Sequence, residues 1–174
     1  MPNRKTIRWN DGNYNAEGLF FLTICTLNKR CILSKIVGTG VLDGPKENDF
    51  ENAHVVLLPY GKIADKYIKQ LNDFYDSISV VDYVVMPNHI HLLLNIKREE
   101  NGPSRTPVPT IQNSTVSRFV STFKRFCNKE YGENIWQYRS YDHIIRNYKD
   151  YEEHVKYIYE NPMRWQFDKL YSEE

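Results

Sequence analysis

Two apolar, β-branched runs, residues 78–86 (ISVVDYVVM) and 89–96 (HIHLLLNI), are separated only by Pro87-Asn88, and no other stretch of the 174-residue chain restricts its folding as much. A short turn signal between apolar arms predicts a hairpin. Side chains alternate faces along a strand, so His89 and His91 stand side by side while Ile90 points into the opposite layer. Two such imidazoles can hold one divalent metal through two nitrogens and leave positions open for water and a phosphate oxygen. Histidine is also tolerated on half-exposed strand faces, and the spacing alone favours that plainer reading. The context weighs the other way, because residues 84–94 are otherwise too apolar to need polar side chains. A metal accounts for the interruption.

The rest of the chain supplies a sheet and helices to cover it. Residues 20–27 (FFLTICTL) are uncharged, β-branched and aromatic, which predicts the first strand; residues 54–58 re-enter the same sheet. From Gly61, residues Ile63, Ala64, Tyr67, Ile68 and Leu71 recur at three- and four-residue spacing, an amphipathic helix that packs on the sheet. Val116, Phe119, Val120, Phe123 and Cys127 mark the core stripe of a second helix ending near Gly132. A third begins after Asp150, with Tyr151, Val155 and Ile158 on one face and Pro162 to stop it. On this reading strands come first and two helices close the chain. Residues 38–52, around Gly44-Pro45, and 99–111, with three prolines, read as loops.

The expected class is α+β in one domain over residues 1–174, since the length suffices for one core but not for two. Hydrophobic residues at 41% and charged residues at 26% argue against extended disorder. Cys25, Cys31 and Cys127 form no CxxC pair, so neither a disulfide framework nor a thiolate zinc site is suggested, and a cytoplasmic setting fits best. No stretch reaches membrane-spanning length, so no membrane partner is expected.

On the third helix Tyr157 and Asn161 lie one turn apart on the same flank. An amide oxygen at Asn161 can add a third ligand to a metal on the histidine strand, which sets the Tyr157 hydroxyl against a phosphate bound there. A tyrosine hydroxyl, with a pKa of about 10, is a weak nucleophile and needs such help. The plainer alternative is a packed helix with a polar end. Tyr151 and Tyr159 compete for the role, but Tyr159 points to the far side of the helix.

The motif VVMPNHIHLLL with a downstream YIYENP resembles the single-tyrosine HUH transposases, in particular their REP-associated tyrosine transposase branch. RKTIRW near the start, GLFFLTICTLNKR, and WQYRSYDHIIRN before the last helix resemble segments of the same proteins in the same order, so the likeness spans most of the chain. It implies a ferredoxin-like antiparallel sheet with helices packed on it, the HUH fold. It also implies a divalent ion, Mg or Mn, held by His89, His91 and Asn161, and a 5′-phosphotyrosine link formed by Tyr157. Members of the family occur as monomers and as dimers that share active sites, and both states stay open for this chain.

Such an enzyme must bind DNA, yet the net charge is only +1. Positive charge is concentrated between residues 118 and 149, where Arg118, Lys124, Arg125, Arg139 and Arg146 are the expected DNA contacts, with Trp136, Tyr138 and Tyr141 interleaved. Aromatic faces stack on unpaired bases while cations follow the backbone, so single-stranded or hairpin DNA is the expected partner. Trp136 is equally well explained as core. Two other functions compete: a hydrolase in which the metal activates water and Tyr157 is structural, and a domesticated DNA-binding protein that does not cleave.

Overall fold

A computed structural model describes residues 17–38, 53–97 and 114–172. RKTIRW and nearly all of the two loops expected at 38–52 and 99–111 lie outside the described residues. In chain order the elements are β1 (Gly18–Cys25), β2 (Ser34–Val37), β3 (His54–Leu57), α1 (Pro59–Phe74), β4 (Ile78–Val85), β5 (His89–Ile96), α2 (Thr115–Tyr131), β6 (Tyr141–Ile144) and α3 (Tyr148–Glu160).

Four strands form one antiparallel sheet in the order β4-β5-β1-β6. Along the chain these elements run strand, helix, two strands, helix, strand, and the first strand lies between the third and fourth. That is the ferredoxin-like arrangement expected of an α+β chain. The hairpin at Pro87-Asn88 closes as predicted, with Met86 N–H donating to the His89 carbonyl at 2.8 Å.

Two expectations are corrected. Residues His54–Leu57 do not re-enter this sheet; they pair with β2, from Ser34↔Leu57 to Val37↔His54. Among the described residues both edges of β1 are taken, by β5 and by β6, and β2 and β3 form a two-stranded ribbon of their own. Nor do the strands all precede the helices: β6 lies between α2 and α3 and pairs with β1, Phe20↔Ile144 to Thr23↔Tyr141. Four residues as polar as YDHI carry no readable alternation; β6 exists because β1 offers it an open edge.

Strand alternation sorts the core into two layers. Phe20, Leu22 and Ile24 of β1 and Ile90, Leu92, Leu94 and Ile96 of β5 face α1 and α2, meeting Ile68, Leu71, Phe119 and Phe123. On the other face Phe21, Val84, Met86 and Leu93 meet Ile158 of α3 and Trp165 beyond it. Because β5 is covered on both sides its apolar run is continuous, and each buried Leu or Ile stabilises the fold by about 1.5–3 kcal/mol.

Helix ends follow local chemistry. Ser114 Oγ accepts from the Ser117 N–H at 3.2 Å to start α2, and Gly132, at φ 75, ends it in the left-handed region. Asn147 Oδ1 caps α3 by accepting from the Asp150 N–H at 2.9 Å. The helix therefore starts at Tyr148, before rather than after Asp150, and places that carboxylate in its first turn, where the helix dipole favours it.

Gly61 gives a test of how tightly α1 is seated. A Cβ at this position would lie 1.9 Å from the Leu33 carbonyl oxygen, which accepts from the Leu58 N–H at 2.9 Å. Helix propensity alone favours Gly61→Ala by about 1 kcal/mol. The backbone clash predicts the reverse, a loss of about 1–3 kcal/mol read as a lower urea midpoint; a raised midpoint would show that α1 moves freely away from Leu33.

Candidate active site

Strand β5 carries His89 and His91 onto the face covered by α3, and both side chains are buried. His89 Nδ1 lies 2.8 Å from Asn88 Oδ1. The Asn88 amide nitrogen donates to the Leu170 carbonyl at 2.8 Å, which leaves its oxygen as the acceptor and puts the His89 proton on Nδ1. His91 Nδ1 lies 2.9 Å from Thr23 Oγ1, its cross-strand neighbour in the register. The Thr23 hydroxyl serves either tautomer of His91: with Nδ1 as the donor the two Nε2 atoms, 2.9 Å apart, turn lone pairs toward each other, and with Nε2 as the donor they form an N–H···N hydrogen bond.

In the first tautomer the facing lone pairs make a two-nitrogen seat for a proton or a cation. Burial pushes the pKa of both imidazoles below the usual histidine range; the neighbouring His89 lowers His91 further, while the Asp168 carboxylate partly offsets the effect at His89. An imidazolium in the pair is thus disfavoured. Outward-facing Nδ1–H groups held by an amide and a hydroxyl are also how metal-binding histidines are oriented. The pair fits a divalent cation.

Helix α3 adds the remaining groups. The Tyr157 ring lies 5.0 Å from the His91 ring and 6.0 Å from Phe21. One turn on, Asn161 is buried, its amide nitrogen donates to Asp168 Oδ2 at 2.9 Å, and its Oδ1 has no hydrogen-bond partner. A buried acceptor without a donor costs about 1–3 kcal/mol, and a cation would satisfy it. His89, His91, Asn161 and Tyr157 are therefore brought together, whereas Tyr159 is exposed and Tyr151 packs into the apolar cluster.

Asp168 belongs to this group, although no spacing in the sequence marks it. Its Oδ2 accepts from the Tyr157 hydroxyl at 3.0 Å, and it offers an oxygen within 4.8 Å of ligand nitrogens on His89 and His91. Burial, then the Asp168 charge and hydrogen bond, raise the Tyr157 hydroxyl well above its ordinary value, so it is protonated at neutral pH.

A second cluster fixes the start of α3. Asp150 accepts from His143 Nε2 at 3.0 Å and from the Arg146 N–H at 2.9 Å, while His154 Nδ1 donates to the Asp150 carbonyl at 2.8 Å. The His143 and His154 rings stack 4.8 Å apart. Phe21 bridges the clusters, 4.6 Å from His154 and 5.1 Å from His91.

The expected DNA contacts are more dispersed. Arg118 and Arg125 are exposed on α2, which covers the opposite face of the sheet from His89 and His91. Lys124 is turned inward, its ammonium donating to the carbonyls of Gln137 at 2.8 Å and Tyr138 at 3.3 Å, and burial lowers its pKa to about 8. Arg139 and Arg146 are exposed on either side of β6, and Tyr138 is 95% exposed. Trp136 is core, packed 5.4 Å from Phe123.

No protein-family model matches the chain. It is 28% identical over 184 residues to an uncharacterised protein of Haemophilus influenzae, covering 98% of this chain and 94% of that one. It is 35% identical over 82 residues to the REP-associated tyrosine transposase of Escherichia coli K12, covering 47% of this chain and 42% of the relative. A candidate REP-associated tyrosine transposase of Haemophilus influenzae is 31% identical over 98 residues, 55% of each chain. Among solved structures, a REP-associated tyrosine transposase bound to a REP hairpin superposes with a TM-score of 0.58 at 22% identity, covering 93% of this chain and 77% of that one.

The buried imidazoles give the metal-free protein a defined pH dependence. In the unfolded chain they protonate near pH 6.5; in the folded protein burial keeps them neutral. The unfolded state therefore binds more protons as the pH falls from about 7 towards 5, and stability drops by up to about 1.4 kcal/mol per pH unit for each histidine. Urea unfolding with chelator should show this slope and its reduction in His91→Gln; an equal slope in the variant would contradict the assignment.

Proposed function

We propose that this chain, a member of the REP-associated tyrosine transposase-like family, cuts single-stranded DNA with Tyr157 and rejoins it. The observation that carries this reading is the Tyr157 ring 5.0 Å from His91, one helical turn from the unpartnered oxygen of Asn161. His89, His91 and Asn161 would hold the divalent ion, Mg or Mn. Bound there, such an ion supplies positive charge to a phosphate oxygen.

The Tyr157 oxygen attacks phosphorus, the bond to the 3′ oxygen breaks, and a free 3′-hydroxyl leaves with a proton while the 5′ phosphate stays on the tyrosine. Rejoining is the reverse, with a 3′-hydroxyl as nucleophile and Tyr157 as leaving group. The covalent link conserves the phosphodiester energy, so no nucleotide cofactor enters. Phe21 and the His143–Asp150–His154 cluster keep α3, and with it Tyr157, in register with β5. Pre-positioning of this kind is a large part of what any phosphoryl-transfer site contributes.

The substrate we infer is hairpin DNA with a single-stranded flank. Arg139 and Arg146 would follow the phosphates beside α3, and the exposed Tyr138 ring would stack on an unpaired base for about 1–3 kcal/mol. Arg118 and Arg125, on the other face, would serve a longer duplex stem wrapping that side of the sheet.

Incubating the protein with a labelled single-stranded hairpin and Mn2+ should give a covalent protein–DNA adduct together with a free 3′-hydroxyl fragment. Tyr157→Phe should lose both while still binding the hairpin. Cleavage that continues at the wild-type rate without an adduct would assign the reaction to water. Binding without cleavage by the wild-type chain, in Mg2+ and Mn2+, would assign it to a DNA-binding module.

A further inference from the structure

The three groups assigned to the ion, two imidazoles and an amide, carry no charge. Mg2+ and Mn2+ prefer hard oxygen ligands, and Mg2+ gives up its water reluctantly, whereas a neutral nitrogen-rich set suits softer metals. A site built only from His89, His91 and Asn161 would therefore hold the ions of phosphoryl transfer weakly. The described residues provide one carboxylate within reach of the pair.

We propose that Asp168 supplies that carboxylate, completing a two-nitrogen, two-oxygen site with His89, His91 and Asn161; this rests on the reading that the histidine pair holds a metal. Asp168 offers an oxygen within 4.8 Å of ligand nitrogens on both histidines. It is held there by the fold, with Oδ1 accepting from the Leu170 N–H and Oδ2 from the Asn161 amide and the Tyr157 hydroxyl. Each carboxylate oxygen has room for about two partners, and with one hydrogen bond at Oδ1 and two at Oδ2 the carboxylate keeps accepting capacity for a cation.

The chain path supports the same assignment. After α3 the backbone returns through the 3-10 turn Trp165–Phe167, and Trp165 packs 5.9 Å from the His89 ring. Asn88 then joins the two halves of the site, since its oxygen accepts from His89 Nδ1 and its nitrogen donates to the Leu170 carbonyl two residues past Asp168. One side chain thus fixes the tautomer of a metal-binding histidine and the position of the segment that carries the carboxylate.

Calorimetric titration of the DNA-free chain with Mn2+ tests this, with water-proton relaxation counting the waters on the bound ion. Asp168→Asn keeps the side chain's shape and its acceptor oxygen; circular dichroism checks its folding, and Asp168→Ser replaces it if it does not fold. The neutral variant should weaken Mn2+ binding about tenfold or more and add a water to the ion. Asp168→Glu should recover affinity over the neutral variant. Wild-type affinity and water count in the neutral variant, with binding abolished in His91→Ala, would overturn the Asp168 assignment and leave the metal site standing. Mn2+ binding unchanged in His91→Ala would overturn both.

Discussion

Two imidazole nitrogens held 2.9 Å apart in the buried layer beneath α3 are the constraint on which the rest of the structure depends. The arrangement is imposed from outside the pair. Asn88 fixes one tautomer, Thr23 holds the other ring, and strand alternation keeps both on the face beneath α3. Burial removes water as a mediator and makes protonation unfavourable. The pair fits a cation, and the unpartnered oxygen of Asn161 is a further acceptor for one.

The sheet makes this placement possible because β5 is buried on both sides. Its even-numbered residues, from Ile90 to Ile96, are packed into the layer under α1 and α2, so a slip of the register by one residue would drive both histidines into that core. The other layer is built from α3, Trp165 and apolar side chains of β2 and β3. That helix is braced at its start by Asp150, His143 and His154, and at its end by the turn through Trp165 and Asp168. Tyr157 sits between the two braces. The geometry of the candidate site follows from two local hydrogen-bonded clusters acting on one helix.

Local patterns in the sequence were informative wherever the determinant was local. The hairpin, the shared face of His89 and His91, the core stripe of α2 and the common flank of Tyr157 and Asn161 all follow from periods of two and 3.6 residues. What needed the tertiary structure was set by partners distant in sequence. Strand β6 exists through the open edge of β1, and β3 pairs with β2 in a separate two-stranded ribbon. Asp168 follows the helix-stopping Pro162 in a segment without periodicity, and only the return of the chain across β5 brings it to the histidines. Lys124 looked like a phosphate contact by charge, yet its ammonium is committed to two backbone carbonyls. Charge density along a sequence does not say which face a cation takes.

The most direct test of the account is the position of a bound ion. Crystals of the full chain soaked with Mn2+, examined by anomalous diffraction at the manganese edge, should show one strong peak at coordination distance, about 2–2.3 Å, from Nε2 of both His89 and His91 and close to Asn161 Oδ1. A peak between His143, Asp150 and His154 instead, or none at the pair when the ion is saturating, would contradict it.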